Sequence, residues 1–126
     1  NLAVDTIKIA DQAVTIPSSV ELASTVNISS TTEQLVLTLT FTGTGATADV
    51  ISTVSAGGAG SSYLQLHYYH NNTLVHSKLY SYGGIVAFPI TTTSGTNTIK
   101  LYCRLFSSGS VAIVPQAYIR SLETKK

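Results

Sequence analysis

The sequence of 126 residues has no methionine, no tryptophan and a single cysteine, and few of its residues are charged. Because Cys103 has no partner in the chain, an intrachain disulfide is excluded. Its place in the alternating run between Ile99 and Leu105 predicts a buried apolar thiol. With a net charge of +1, the chain has no excess of basic residues that would attract nucleic acid. The longest apolar runs, such as residues 85–90, are too short to cross a bilayer. The sequence therefore predicts neither nucleic-acid binding nor membrane insertion.

Patterns for catalysis or metal binding are also sparse. A two-carboxylate hydrolase needs a pair of acidic side chains that flank one bond, yet three of the six acidic residues fall within residues 1–21. The Gly-rich segments lack the Lys-Ser/Thr that follows a phosphate loop. His67, His70 and His76 have no neighbouring Cys, Asp or Glu to complete a metal site, unless several chains bring copies of one histidine together. We therefore expect no enzymatic activity, no cofactor and no metal.

Apolar residues recur at every second position along most of the chain, which is typical of β-strands. In the clearest run Leu35, Leu37, Leu39 and Phe41 share one face. About nine such segments with short turns predict an all-β protein, an antiparallel two-sheet β-sandwich of jelly-roll type.

Two segments in the middle of the chain are weaker. Residues 42–62 consist mainly of Gly, Ala, Ser and Thr, and they predict a loop, a short edge strand and a flexible turn. Pro89 cannot donate a backbone hydrogen bond, so residues 85–90 are predicted to form an edge strand or a strand end.

The last two strands are predicted at residues 97–106 and 110–122, joined as a hairpin through Ser107-Ser108-Gly109. Residues 111–119 are apolar on both faces. Such a strand is expected either in the middle of a sandwich or against another subunit.

The best-defined hairpin consists of residues 62–70 and 73–81, which flank Asn71-Asn72. Asn tolerates positive φ, so a tight two-residue turn is predicted. This turn sets a register in which Tyr68 faces Val75 and His67 faces His76.

That register separates two faces of the hairpin. The face predicted to join the core carries Leu64, Leu66, Tyr68, Val75 and Leu79. The opposite face is both polar and aromatic, which suits a wet interface, although β propensity on a half-exposed sheet would also explain it. The residues predicted to make contact with a receptor are Tyr63, His67, Tyr69, His70, Asn71, Asn72, His76, Tyr80 and Tyr82.

The opening segment NLAVDTIKIADQAVTIP, with KIADQAVT at residues 8–15, resembles the join in the central tail-fibre (host-specificity) proteins at the tail tip of lambda-like siphophages. In that family related repeats precede a variable terminal domain. The resemblance covers residues 1–17 and implies a C-terminal fragment of a longer, homotrimeric fibre. It divides the chain into a stem at residues 1–20, the end of the fibre shaft, and a head domain at residues 21–126.

The resemblance implies a receptor-binding domain at the distal tip of the tail fibre in the virion. It would attach the virion to the host by non-enzymatic, multivalent recognition as a homotrimer. The expected receptor is an outer-membrane protein, a pilus or a polysaccharide on the bacterial surface. Two alternatives remain: a carbohydrate-binding module, for which the absence of tryptophan is unfavourable, and a structural domain that trimerises and caps a fibre.

Overall fold

The computed structural model describes residues 15–58, 64–79, 84–106 and 111–124, and these residues form strands and connections without a helix. The strands are β1 (Thr15–Glu21), β2 (Val26–Ile28), β3 (Gln34–Thr44), β4 (Thr47–Gly57), β5 (Leu64–His70), β6 (Thr73–Leu79), β7 (Gly84–Thr91), β8 (Ser94–Leu105) and β9 (Ala112–Thr124). None of the described segments is a helix that would cross a bilayer. The predicted all-β class is confirmed.

The strands form two antiparallel sheets. The first sheet has the order β1-β9-β4-β7, with β2 also paired to β9, and the second sheet has the order β3-β8-β5-β6. The pairs β1·β9, β3·β8, β4·β7 and β5·β6 are nested within one another along the chain, as in one long hairpin that folds over on itself. This nesting is the jelly-roll arrangement of a β-sandwich, as predicted.

The core lies between the two sheets, where alternate side chains of each strand point inward. Tyr68 and Leu101 of the second sheet and Val50 and Ile119 of the first are fully buried there. Cys103 is also fully buried, and burial raises the pKa of its thiol to about 12. The prediction that Cys103 is a small apolar core residue is therefore confirmed.

The predicted inward face of β3 is correct except at its first residue. The pairing of β3 with β8 shifts between Leu35 and Leu37, so that Val36 is an additional residue in the strand. Because of such a bulge, the side chains that precede it in the strand point to the opposite face of the sheet. Leu35 is consequently exposed, while Val36 packs partly against the core.

The prediction for residues 42–62 was wrong in its main element. β4 is not a short edge strand but an 11-residue strand that pairs with both β7 and β9. Its small side chains alternate regularly, and Ala48, Val50 and Val54 point into the core. A central strand needs this alternation and two pairing partners, and it does not need large side chains.

β8 and β9 do not form the predicted hairpin, because β8 belongs to the second sheet and β9 to the first. β9 does lie within its sheet, between β4 and β1. Among the described residues only one of its faces is covered at this end: Ala112 and Val114 are buried, whereas Ile113 and the preceding Val111 are exposed. Pro89 lies in β7, which stands at the end of the first sheet, as predicted for an edge strand.

The Asn71-Asn72 turn is confirmed. Both residues have positive φ, 48° and 70°, which is the geometry of a type I′ hairpin turn. The predicted pairs next to the turn, His70 with Thr73 and Tyr69 with Leu74, are present.

Beyond those two pairs the predicted register was wrong by one residue. The pairing shifts at Tyr68, so that Tyr68 faces His76 and His67 faces Ser77. The additional residue is Val75, and it moves the rest of β6 onto the opposite face. Val75 and Leu79 are accordingly exposed and not part of the core.

β1 pairs with β9 over its whole length, from Thr15 to Glu21. Residues 15–20, which the sequence analysis assigned to the stem, therefore form part of the first sheet. Residues 1–14, which include most of the segment resembling the fibre proteins, lie outside the described residues.

Candidate functional site

A groove of about 450 Å³ lies on the outward face of the second sheet. Register places its side chains in adjacent rows, because Tyr69 of β5 pairs with Lys100 of β8, and His67 pairs with Tyr102. The loop between β2 and β3 closes one side, and the Asn71-Asn72 turn closes another. The groove is lined by Thr32, Glu33, Tyr69, Asn72, Lys100 and Tyr102.

Glu33 is held in a fixed position over the sheet. The Tyr69 hydroxyl donates to its carboxylate, at 3.0 Å from Oε2 and 3.1 Å from Oε1, and His67 contacts Oε2 through Nδ1. Because an ionised carboxylate only accepts hydrogen bonds, His67 is the donor in this contact. The Glu33 side chain remains 32% exposed, against 15% for His67, so part of its acceptor capacity faces the groove.

Two tyrosines form the aromatic part of the groove. The rings of Tyr69 and Tyr102 lie 5.2 Å apart between centroids and meet edge to face at 78°, an arrangement that aromatic rings favour. Burial first, and then the hydrogen bond and charge of Glu33, raise the pKa of Tyr69 above its usual value. Tyr69 therefore stays a neutral hydrogen-bond donor to Glu33 at neutral pH.

Basic side chains border the aromatic pair. Lys100, Tyr102 and Arg104 alternate along β8, so they share the outward face. Within the described part of the chain, no carboxylate lies at ion-pair distance from Lys100 or Arg104. The groove thus combines one fixed carboxylate, two aromatic rings and unpaired positive charge.

Three of the predicted contact residues meet at this groove: Tyr69 and Asn72 line it, and His67 holds Glu33 beside it. Tyr63, Tyr80 and Tyr82 lie outside the described residues.

His70 and Asn71 instead belong to a network at the end of the sandwich. Nε2 of His70 lies 2.9 Å from Oδ1 of the buried Asn97, and Asn71 accepts a hydrogen bond from the backbone N–H of Thr98 at 2.9 Å. Asn97 also binds the backbone of Thr93 in the connection between β7 and β8. The side chains of His70 and Asn71 are thus engaged in fixing the turns.

His76 points to the opposite side of the second sheet because of the Val75 bulge. Its ring stacks on Phe88 of β7, with centroids 4.9 Å apart and planes 8° apart. It also lies 6.2 Å from the ring of Tyr68. His76 therefore bridges the open edges of the two sheets, and the predicted proximity of His67 and His76 is not present.

Sequence reasoning did not identify Thr32, Glu33, Lys100 and Tyr102 as site residues. The alternation of polar side chains at positions 100, 102 and 104 was a signal for the last two. Glu33 had no such signal, because it lies in a loop 34 residues before its partner His67. Within the described ranges, no group of three His, Cys, Asp or Glu side chains is placed to hold a metal ion.

A second depression, of about 460 Å³, lies on the outward face of the first sheet and is lined by Glu21, Leu22, Thr53, Ser55, Pro115, Gln116, Ala117 and Tyr118. The Arg120 guanidinium lies 5.6 Å from the ring centroid of the neighbouring Tyr118. This depression contains one carboxylate and one aromatic ring, but none of the predicted contact residues.

No protein-family model matches the chain, and no curated protein matches it either. Solved structures do share its fold. The carbohydrate-binding module CBM36, in complex with calcium and xylotriose, superimposes with a TM-score of 0.51 at 16% identity, over 89% of this chain and 95% of that chain. The CBM36-1 domain of a multidomain xylanase from the hindgut metagenome of Trinervitermes trinervoides gives 0.50 at 10% identity, over 82% and 96%.

The insecticidal delta-endotoxin Cry8Ea1 from Bacillus thuringiensis has a TM-score of 0.54 at 14% identity, over 81% of this chain and 20% of the toxin chain. The chain thus spans about a fifth of the length of that toxin. At such identities a shared fold does not carry a shared function. What these likenesses show is the β-sandwich fold.

Proposed function

We propose that this chain is a non-enzymatic attachment domain that recognises a bacterial cell surface through the groove on the second sheet. The observation that carries the proposal is the fixed Glu33 beside the Tyr69 and Tyr102 rings, on the outward face of a sheet. Tyrosine offers a large contact area with a polar tip and little conformational entropy to lose, which suits recognition. A groove on paired strands is also already ordered before binding, which lowers the cost of association.

The chemistry of the groove favours binding over hydrolysis. Cleavage of a glycosidic bond normally uses two carboxyl groups, one on each side of the bond. The described lining contains one, Glu33, and that carboxylate is occupied by His67 and Tyr69. Glu33 is therefore better suited to accept hydrogen bonds from a ligand than to transfer protons.

The resemblance of residues 1–17 to the central tail-fibre proteins of lambda-like siphophages supports a location at the distal tip of a tail fibre in the virion. In this proposal the domain works as a homotrimer whose three grooves face a repetitive surface. Avidity then compensates for weak binding at each groove. The receptor is an outer-membrane protein, a pilus or a polysaccharide of the host.

The test is adsorption of the purified chain, fused to a fluorescent protein, to a panel of bacterial strains. We expect saturable binding to a subset of strains, measured by flow cytometry, and competition by unlabelled chain. The same fluorescent protein without the chain is the control. If no strain shows saturable binding, even at concentrations well above micromolar, the attachment role is refuted.

A carbohydrate-binding module is the second candidate, because the chain shares its fold with CBM36 modules over nearly their whole length. Such a module would bind isolated polysaccharide as a monomer. Binding to purified xylan or cellulose by the monomeric chain, with no adsorption to bacterial cells, would favour this candidate over the tail-fibre tip.

A further inference from the structure

The outward face of the second sheet has an uneven distribution of charge. Along β8, Lys100 and Arg104 lie on either side of Tyr102, at two-residue intervals that keep all three on one face. The partners of these residues on β5 carry no carboxylate: Tyr69 pairs with Lys100, His67 with Tyr102, and Gln65 with Arg104.

Glu33 forms no ion pair with these two basic residues. Its carboxylate is directed to His67 and Tyr69, and neither Lys100 nor Arg104 is among its partners in the described part of the chain. Two cations beside a groove attract a negatively charged ligand and leave their own hydrogen bonds available for it. The groove therefore favours a ligand with an anionic group at the β8 side.

The remaining lining suits the uncharged part of such a ligand. Glu33 is an acceptor for hydroxyl groups, and Asn72 supplies both a donor and an acceptor at the turn. Tyr102 is half-buried, so part of its ring is available for apolar contact. Hydroxyl groups, an apolar ring face and a negative charge occur together in acidic sugars.

We propose that the groove binds a sugar residue that carries a carboxylate or a phosphate group. Its anionic group would be held by Lys100, with Arg104 nearby. Its ring would lie against Tyr102, and its hydroxyl groups would donate to Glu33. This proposal rests on the proposed attachment function and narrows the receptor to an acidic polysaccharide or a phosphorylated surface glycan.

The test uses matched probes with the intact chain in isothermal titration calorimetry. Trigalacturonate is compared with neutral galactotriose for the carboxylate. A lipopolysaccharide core oligosaccharide is compared before and after phosphatase treatment for the phosphate. We expect one acidic member of these pairs to bind at least about tenfold more tightly than its neutral counterpart, since a hydrogen bond to a charged group commonly contributes that much. The pair that binds identifies the anionic group.

Variants then locate the binding in the groove. Lys100→Met keeps the length of the side chain and removes its charge, and we expect it to abolish the preference for the acidic probe. Lys78→Met is the matched control, because Lys78 lies on β6 with Nζ at 3.4 Å from the carbonyl of Ile85, away from the lining. Tyr102→Val should weaken binding to both members of a pair, and thermal melting verifies that each variant folds.

Equal binding of acidic and neutral probes, binding to no probe, or an unchanged preference in Lys100→Met would overturn the proposal. Adsorption to bacterial cells, measured in parallel, separates this failure from that of the attachment function. If the chain adsorbs to cells but ignores all acidic probes, the attachment function stands and the acidic-sugar proposal falls. If it adsorbs to no strain, the attachment function itself fails.

Discussion

The hydroxyl of Tyr68 donates to Oγ of Ser52 at 2.8 Å and so joins the second sheet to the first across the centre of the core. Ser52 in turn donates to the backbone carbonyl of Tyr118 at 2.7 Å. Tyr68 and Ser52 are both fully buried, and burial raises the pKa of the Tyr68 hydroxyl. These two hydrogen bonds pair the buried hydroxyl groups of Tyr68 and Ser52, which would otherwise lack partners in the core.

The two ends of this link should not be equivalent when mutated. Tyr68→Phe leaves Ser52 bonded to Tyr118 and should cost about 1 kcal/mol of unfolding free energy. Ser52→Ala leaves the Tyr68 hydroxyl buried without an acceptor and should cost about 2 to 3 kcal/mol. Urea unfolding of both single variants and of the double variant measures these values.

The double variant provides the control, because removing both partners avoids an unpaired hydroxyl. Its loss of stability should be smaller than the sum of the two single losses. Strict additivity, or a greater loss in Tyr68→Phe than in Ser52→Ala, would contradict this account of the link.

The sequence predicted those features that depend on the alternation of apolar and polar residues along a short segment. Strands β3, β5, β6, β8 and β9, the buried Cys103 and the Asn71-Asn72 turn follow from side chains that are neighbours along the chain, and the structure confirms them. The jelly roll itself follows from the number of strands and the lack of helices, since few arrangements bury one face of every strand.

The remaining features depend on residues far apart in sequence. The bulge at Val75 leaves no clear mark in the alternation, yet it reverses the facing of His76 and the rest of β6. β4 becomes central only because β9 returns beside it, more than 50 residues later. Glu33 enters the groove through contacts that the fold makes, so composition and spacing did not reveal it.

Acid should destabilise the protein through Glu123, which is 1% exposed at the end of β9. Burial acts to raise the pKa of this carboxyl, but hydrogen bonds from the backbone N–H of Thr44 at 2.9 Å, its hydroxyl at 2.7 Å, and Thr92 lower the pKa below its ordinary value of 4.5. A pKa lowered by folding gives stability that is fully present above 4.5 and is lost as pH falls through the folded value. We therefore expect the unfolding free energy to decrease steadily below pH 4.5.

Thr44→Val tests this mechanism, because it removes one donor to Glu123 without changing the shape of the side chain. We expect a loss of about 1.5 kcal/mol at pH 7. Because the folded pKa of Glu123 then lies closer to 4.5, the further loss of stability below pH 4.5 should be smaller and should end at a higher pH than in the original protein. Thr40→Val, on the exposed face of the same strand, is the control and should have the pH profile of the original protein. A Thr44→Val profile identical to that of Thr40→Val would show that Glu123 does not control acid stability.

The Asn71-Asn72 turn allows hairpin stability to be separated from groove binding. Asn72 has a φ of 70°, a conformation that costs a residue such as Ala about 1 kcal/mol and costs Gly little. Asn72→Ala should therefore lower the unfolding free energy by about 1 kcal/mol relative to Asn72→Gly. Both variants remove the same amide from the groove, so both should weaken ligand binding equally. A difference in binding that follows the difference in stability would instead mean that Asn72 acts only through the turn.

The exposed apolar face of β9 is the surface on which the proposed trimer depends. Ile113 is 42% exposed and lies on the same outward face as Val111, where none of the described residues covers it. If copies of the chain pack there, light scattering should give three times the chain mass of 13.3 kDa, and Ile113→Lys should reduce it to a single chain because a buried, unpaired charge is unfavourable. Ile85→Lys is the matched control, since Ile85 is 70% exposed on the edge strand β7 and should leave the mass unchanged. A single-chain mass for the unmodified protein would exclude trimerisation by the head alone, and avidity would then have to come from the fibre that carries it.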